Sequence, residues 1–444
     1  MRSRVPDTTE KYVEAMRARE GAAREASWLR ALRQTAAARF AEAGLPGPRD
    51  EDWKYTDIRP IERAAFMPLP ADVAPPVLAS SRRFLIDGLS GPRLVFVNGR
   101  FSAALSLVDG LSSGVTITPF GEALRRESQV LAAHLGRHAP ADGHGFAALN
   151  TALLTDGAFI HVGAGVRLEQ PVIVLYLATA NAALLLPRTL VIAESDSQVT
   201  IIEHYAAAAD VTYFTDGLSE IAASTNAVVE HYRVQEESRT AFHISGVHLR
   251  VGRSSRVSTH ALDLGGRLVR NDVRAVLAEA GGECRLNGFY LATDKQHVDN
   301  HTCIDHAQAS CKSREFYRGV LSGRGRAVFR GRIVVRTDAQ KSDARQVNNN
   351  LLLSRDAEAD SLPQLEIYAD DVLCSHGATV GQLDGDALFY LRSRALDDAD
   401  ARDLLTFAFA REVLDRIGVA PVQARVERRI SAALRLAVAG GTDV

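Results

Sequence analysis

From about Asp156 to Leu396, more than half of the chain, long helical periodicity is missing and short β-branched runs alternate with Gly, Ser, Asn and Asp turns. Strands in such numbers, with no helices between them, restrict the fold to sandwiches, barrels and stacked coils. A weak internal repeat narrows the choice. Glu203-His204-Tyr205 recurs 27 residues on as Glu230-His231-Tyr232, and turn-then-strand units stand near Gly252, Gly281 and Gly323, at intervals of 29 and 42 residues. A strand-only period in this range predicts stacked coils, each burying its apolar face against the next. Few two-residue hairpin signals separate the runs, which favours a right-handed parallel β-helix over a sandwich.

The flanks differ. Residues 1–155 read as a mostly helical N-terminal domain, 156–396 as the β-helix core and 397–444 as a C-terminal helical domain. Glu10 to Ala43 is rich in Ala, Arg, Glu and Leu and stops at Gly44-Leu45-Pro46-Gly47-Pro48, a helix ended by glycine and proline. Ala64–Ser80 reads as a proline-rich connector, and Arg93–Phe101 as two short strands about an Asn-Gly turn. Pro119–Arg137 and Gly145–Thr155 read as further helices. Asp397–Gly418 opens on acidic residues and predicts a helix ended by Pro421, with another over Val426–Val438. A terminal helical pair suits either a cap on the open end of a solenoid or a docking surface.

Composition excludes several functions. With 52 basic and 54 acidic residues, the chain has no electrostatic footprint for nucleic acid or an anionic membrane. No apolar run reaches the roughly 18 residues of a membrane span, and the N-terminal residues lack a signal-peptide core. Four cysteines without a secretion signal point to a reducing compartment, so a cytoplasmic location is expected.

The motifs argue against an enzyme. No Gly-Lys pair occurs, so there is no P-loop; nor is there a dinucleotide fingerprint or H-E-x-x-H. Gly110-Leu111-Ser112-Ser113-Gly114 matches G-x-S-x-G, but the strand-like VTIT that follows makes it a polar turn rather than a nucleophile elbow. The carboxylates Asp370-Asp371 would point to opposite faces of a strand, and Asp384 and Asp386 about Gly385 suit a turn, which leaves a β-helix carbohydrate enzyme unsupported. Cysteines 284, 303, 311 and 374 are too far apart for a self-contained ferredoxin-type site.

Cys374-Ser375-His376 is the densest candidate. On a strand Cys374 and His376 share a face, about 7 Å apart along the chain, and offer a thiol and an imidazole suited to iron or zinc. Two ligands do not complete a tetrahedral site: either a partner supplies the rest, or these are a buried cysteine and a hydrogen-bonded histidine. The histidines of Gln296–His306 read as a polar ladder along stacked coils.

Phe329–Leu396 closely resembles the C-terminal core of the SufB/SufD family of iron–sulfur cluster assembly proteins. Glu51–Ile58 (EDWKYTDI) and Phe96–Phe101 (FVNGRF) also look like that family. CSHGATVG (Cys374–Gly381) and LFYLRSR (Leu388–Arg394) resemble its SufD branch. SufB chains carry a cluster-building cysteine where Asn348-Asn349-Asn350 stands here, and a glutamate in place of Gly377. The resemblance implies a β-helix flanked by helices and a non-catalytic scaffold in a complex with a SufB-type paralogue and the ATPase SufC. It implies that the paralogue pairs at the ends of the β-helices and SufC docks on the C-terminal helices. It also implies a transient iron–sulfur cluster at the paralogue interface, with His376 and Cys374 as its ligands on this chain. Two other arrangements remain open: a SufB-like homodimeric scaffold, with persulfide on one of the four cysteines, and reduced flavin in the complex, for which no fingerprint is readable.

Overall fold

The structure, a computed structural model, describes residues 8–20, 25–70, 84–139, 145–208 and 210–439. Its core is a parallel β-solenoid of about eight turns, with helices at the N- and C-terminal flanks. Each coil gives one strand to each of two sheets. Sheet I runs from Ala158–Val162 through Arg188–Ala193, Phe214–Ala223, Phe242–Val251, Leu268–Leu277, His297–His306 and Arg326–Val335 to Glu358–Ile367. Sheet II runs from Val172–Ala178 through Gln198–Ala207, Val228–Glu236, Arg256–Asp263, Glu283–Ala292, Lys312–Leu321 and Ser342–Leu352 to Val372–Gly381. Neighbouring coils pair in parallel throughout.

One corner of every coil explains the spacing of the turn signals. Gly165, Asp196, Asn226, Ser254, Gly281, Ser310 and Lys341 all hold a positive φ. The N–H of each donates to a carbonyl one coil on, at 2.6–3.2 Å. Gly, Asn and Asp enter this left-handed region at least cost, which is why they punctuate the sequence here. Lys341, at φ 61°, occupies the same corner without that chemistry.

The structural repeat differs from the motif repeat. Glu203 pairs with Arg233 and Ile201 with His231, a step of 30 residues rather than 27. A shift of three exchanges the faces of a strand. Glu203 and His231 therefore enter the lumen, whereas His204 and Glu230 lie on the outer face. The Gly281–Gly323 interval is long because Gly323 belongs to another corner, beside Asp294.

The N-terminal region gives strands as well as helices. Helices Thr8–Glu20 and Ser27–Ala43 stand where one was expected. Arg93–Val97 and Arg100–Phe101 form the expected Asn-Gly hairpin and extend sheet II, while Val115–Pro119 extends sheet I antiparallel to Ala158–Val162. The proline-rich connector lies largely outside the described residues. Gly110–Gly114 is a turn leading into strand, as expected. Helix Gly145–Leu153 and Trp53 pack against Phe214, Phe242 and Leu268 on the outer face of sheet I. The Trp53 ring lies 3.7 Å from the Arg270 guanidinium, which also bonds Asp299 at 2.6 Å; Thr56 reaches His297 at 2.9 Å. The histidine-rich segment is thus a ladder that fastens the N-terminal region to the solenoid.

Three helices follow the last strand. Asp384 caps Gly385–Ser393 through the N–H groups of Asp386 and Ala387, so this pair of aspartates starts a helix rather than a turn. Asp397 caps Asp398–Leu414, and the last helix spans Ala420–Ala439 with Pro421 in its first turn, where proline is tolerated. Val413, Leu414, Ile417, Val422, Val426 and Ile430 pack on Tyr232, Leu262, Phe289 and Val320, along the outer face of sheet II. The last two helices therefore lie along the flank of the solenoid.

Candidate functional site

Val372–Gly381, which carries both candidate ligands, is the last strand of sheet II and pairs on one side only, with Ser342–Leu352. Its outer edge therefore offers unpaired backbone groups. Almost the whole strand is exposed, as are Ile367 and Tyr368 at the end of the last strand of sheet I. Leu373 is 70% exposed on the outer face, in register with Asp343 and the exposed Lys312. Val380 is 47% exposed on the lumen side, in register with Asn350, which the last strand buries.

Register fixes the direction of each side chain. Cys374 stands opposite Ala344 and His376 opposite Gln346, both lumen-facing residues. Cys374 packs half-buried against the lumen core, and His376 is exposed at its mouth. The two therefore share a face, as alternation required, and that face is the open end of the lumen. His376 makes no side-chain hydrogen bond among the described residues. Burial pushes the Cys374 thiol above its ordinary pKa, so a metal would have to displace its proton. Among the described residues no three His, Cys, Asp or Glu side chains cluster as a metal site. Alone, the pair offers two donor atoms, too few for a complete tetrahedral site.

Behind His376 the lumen is polar. His376, Gln346, Glu315 and Leu286 form one inward column on successive coils. Gln346 Nε2 donates to Glu315 Oε2 at 2.7 Å, and the fully buried carboxyl is pushed up to about 7 by desolvation. Gly331 of sheet I makes room for Gln346, since a Cβ there would overlap the amide. In the next column Asn348 Nδ2 donates to the Tyr290 hydroxyl at 3.0 Å, and that hydroxyl donates to Asn350 Oδ1 at 2.5 Å. Asn349 faces outward and accepts from Thr379 at 2.8 Å. Amides, not a thiol, thus fill the lumen one coil inside the mouth. The sequence reading missed Glu315 and Gln346. The available signal was Ser342–Leu352 itself, SDARQVNNNLL, which is polar on both faces over most of its length.

The other cysteines are separated from this pair. Cys284 and Cys311 are buried in the lumen, and burial raises the pKa of both. Cys303 lies on the outer face of sheet I, 3.7 Å from Arg332.

Comparison with known proteins agrees with this geometry. The SufBD protein N-terminal region matches residues 7–174, and the SufBD core domain of the SUF system for FeS cluster assembly matches residues 176–409. The chain belongs to the SufB/SufD family. It is 34% identical to an iron–sulfur cluster assembly SufBD family protein of Synechocystis, over 90% of both chains. It is 31% identical to the iron–sulfur cluster assembly protein SufD of Escherichia coli, over 87% of this chain and 89% of that one. The chloroplastic protein ABCI7 of Arabidopsis thaliana is 26% identical over 87% of this chain. As a SufB/SufD member, with its recognisable similarity to SufD, the chain is an iron–sulfur cluster assembly protein. The two family regions meet within Val172–Ala178, the first strand of sheet II after the N-terminal extension. No helix among the described residues is long and apolar enough to cross a membrane.

Proposed function

We propose that this chain is the non-catalytic SufD-type scaffold of a cytoplasmic assembly complex, pairing with a SufB-type paralogue through the open end of its solenoid. The observation that carries the proposal is the last strand: an unpaired edge, exposed apolar side chains and a half-set of ligands, Cys374 and His376, at one mouth. A partner strand added at that edge would satisfy the backbone and cover Val380. It would also bring the missing ligands to a nascent iron–sulfur cluster, which is cargo of the complex. In this reading His376 binds iron or handles a proton at the interface, and Cys374 is an auxiliary thiolate.

The C-terminal helices support docking of a SufC-type ATPase. Phe389 is 75% exposed and Tyr390 57%, on a helix that buries no residue, and Leu404 is 49% exposed on Asp398–Leu414, whose other face packs on sheet II. ATP would be hydrolysed by that partner.

Two measurements test the reading. Native mass spectrometry of the tagged chain from its own cells should show a complex with one paralogue and two ATPase copies; recovery of a homodimer alone would reject the heteromeric scaffold. His376→Ala should lower iron and sulfide in the assembled complex several-fold while its subunit composition stays intact. Full cluster yield in that variant would remove His376 from the site.

A further inference from the structure

A second concave surface lies away from the open end. On the outer face of sheet II, between the strands and the turn after helix Asp398–Leu414, is a cavity of about 670 Å³. That is large enough for a nucleotide-sized ligand. Its floor is polar and buried: Ser258, His260 and Asn287 are each less than a tenth exposed. His260 stacks on Tyr232 with ring centroids 4.4 Å apart and holds Glu230 at 3.4 Å through Nε2, while its Nδ1 is buried without a hydrogen-bond partner. The Asn287 side-chain amide also makes no hydrogen bond among the described residues.

The walls are cationic because of register. Arg285 pairs with Arg314, and Arg314 with Arg345, so three guanidinium groups stack along one outward column. Adjacent coils are about 4.8 Å apart, and like charges at that spacing repel. Carboxylates answer only part of this charge. Glu283 holds Arg285 at 2.6 Å, and Asp343 is shared by Arg314 and Arg345. Lys312 and Arg416 complete the lining, and neither has a carboxylate partner among the described residues. Arg416 is held in place over the Phe316 ring, 4.1 Å from its centroid. Lys312 stands in register between Glu283 and Asp343. The lining nevertheless sets Arg285, Lys312, Arg314 and Arg416 against Glu230 and Glu283, and this excess of cations in a concave site concentrates a positive potential there.

We infer that this cavity is a binding site for a small phosphate-bearing molecule. The phosphate lies among Arg285, Arg314 and Arg416, whose guanidinium forks fit its oxygens, and the Lys312 ammonium, a compact point charge. Asn287 donates to it from the floor. The opposite end of the cavity is lined by Glu230, an acceptor suited to the hydroxyl groups of an organic remainder. This site is independent of the open-end reading, because it uses neither Cys374 nor His376.

The test is calorimetric titration of the full chain at low salt with pyrophosphate and with ADP. Both should bind, and Lys312→Ala combined with Arg416→Ala should weaken both by about tenfold or more, the loss expected for two charge-assisted contacts. Asn287→Ala should weaken binding less. Arg126→Ala, a remote exposed cation, should leave it unchanged, and circular dichroism of each variant checks the fold. Tighter binding of ADP than pyrophosphate identifies an organic phosphate; equal binding identifies the inorganic anion. Absence of binding by both at millimolar concentration, or equal affinity in wild type and the double variant, would overturn the site. So would a poly-glutamate peptide that binds more tightly than either probe and is lost in the same variant, since the cavity would then serve a protein acid.

Discussion

The two ends of the solenoid are built from the same kind of coil and finished in opposite ways. At the first end the N-terminal region adds strands to both sheets, and the added edges are short or antiparallel. The lumen there is apolar and aromatic: Phe96 stacks on Tyr176 at 5.2 Å, with Phe101 at 5.9 Å and Leu94, Val172 and Val174 around them. At the last end no strand is added among the described residues. The lumen carries Glu315, Gln346, Asn348 and Asn350 up to a mouth lined by Cys374 and His376. A chain able to close one end with its own residues leaves the other with an exposed edge that sheet proteins ordinarily cover or charge. On the proposed reading, the last end is the place where another molecule completes the fold.

The sharpest test of this contrast is stability, because equal substitutions should have unequal costs. Phe96→Ala removes a ring that is 1% exposed from the closed end, and should cost about 3–5 kcal/mol, the usual range for a buried aromatic. Urea denaturation followed by circular dichroism measures it. A cost under about 1 kcal/mol would mean that the closed end is not a packed core.

Much of this architecture was legible before any coordinates. Short strands, recurring turns and the lack of helices predicted stacked coils, and alternation alone placed Cys374 and His376 on one face. The register was not legible from Glu203-His204-Tyr205, because a three-letter repeat lacks the long-range pairing that fixes which residue opposes which. The corner residues carry the true spacing, but they are chemically mixed, from Gly165 and Asn226 to Lys341. The polar lumen was hidden for a related reason. Glu315 on a strand ordinarily reads as solvent-facing, and only pairing with Gln346 across coils makes its burial intelligible. The placement of the last helices was also beyond periodicity, which predicts an apolar face but not whether it meets an end or a flank.

The lumen near the open end yields the next test. Glu315 titrates at about 7 in the folded chain, against 4.5 for an ordinary glutamate. Its folded pKa is raised, so folding favours the protonated form. Below pH 4.5 both states are protonated and the group is neutral in its effect. As pH rises from 4.5 to 7 the unfolded state gains a solvated charge first, and above 7 the native state bears the full penalty, about 3 kcal/mol at 1.36 kcal/mol per pKa unit. Glu315→Gln keeps an acceptor for Gln346 and should be more stable than wild type at pH 8, with the advantage fading toward pH 4.5. Thermal midpoints across that range measure the difference. A constant difference would show that the lumen around Glu315 is hydrated and does not desolvate the carboxyl.

The smallest effect on the isolated chain should come from the open end itself. Val380→Lys puts a charge at a position 47% exposed, so its cost to folding should stay within about 0.5 kcal/mol. In assembly the same residue would lie under a partner strand on the lumen side, as Asn350 lies under the last strand here, and a lysine there must be desolvated or excluded. Co-expression with the SufB-type paralogue, followed by size-exclusion chromatography, should therefore show loss of the complex with the chain still folded. If assembly survives and stability is unchanged, the last strand is not the pairing edge. If instead stability falls as steeply as for Phe96→Ala, Val380 is covered by the chain's own residues in solution, and the two ends are finished alike.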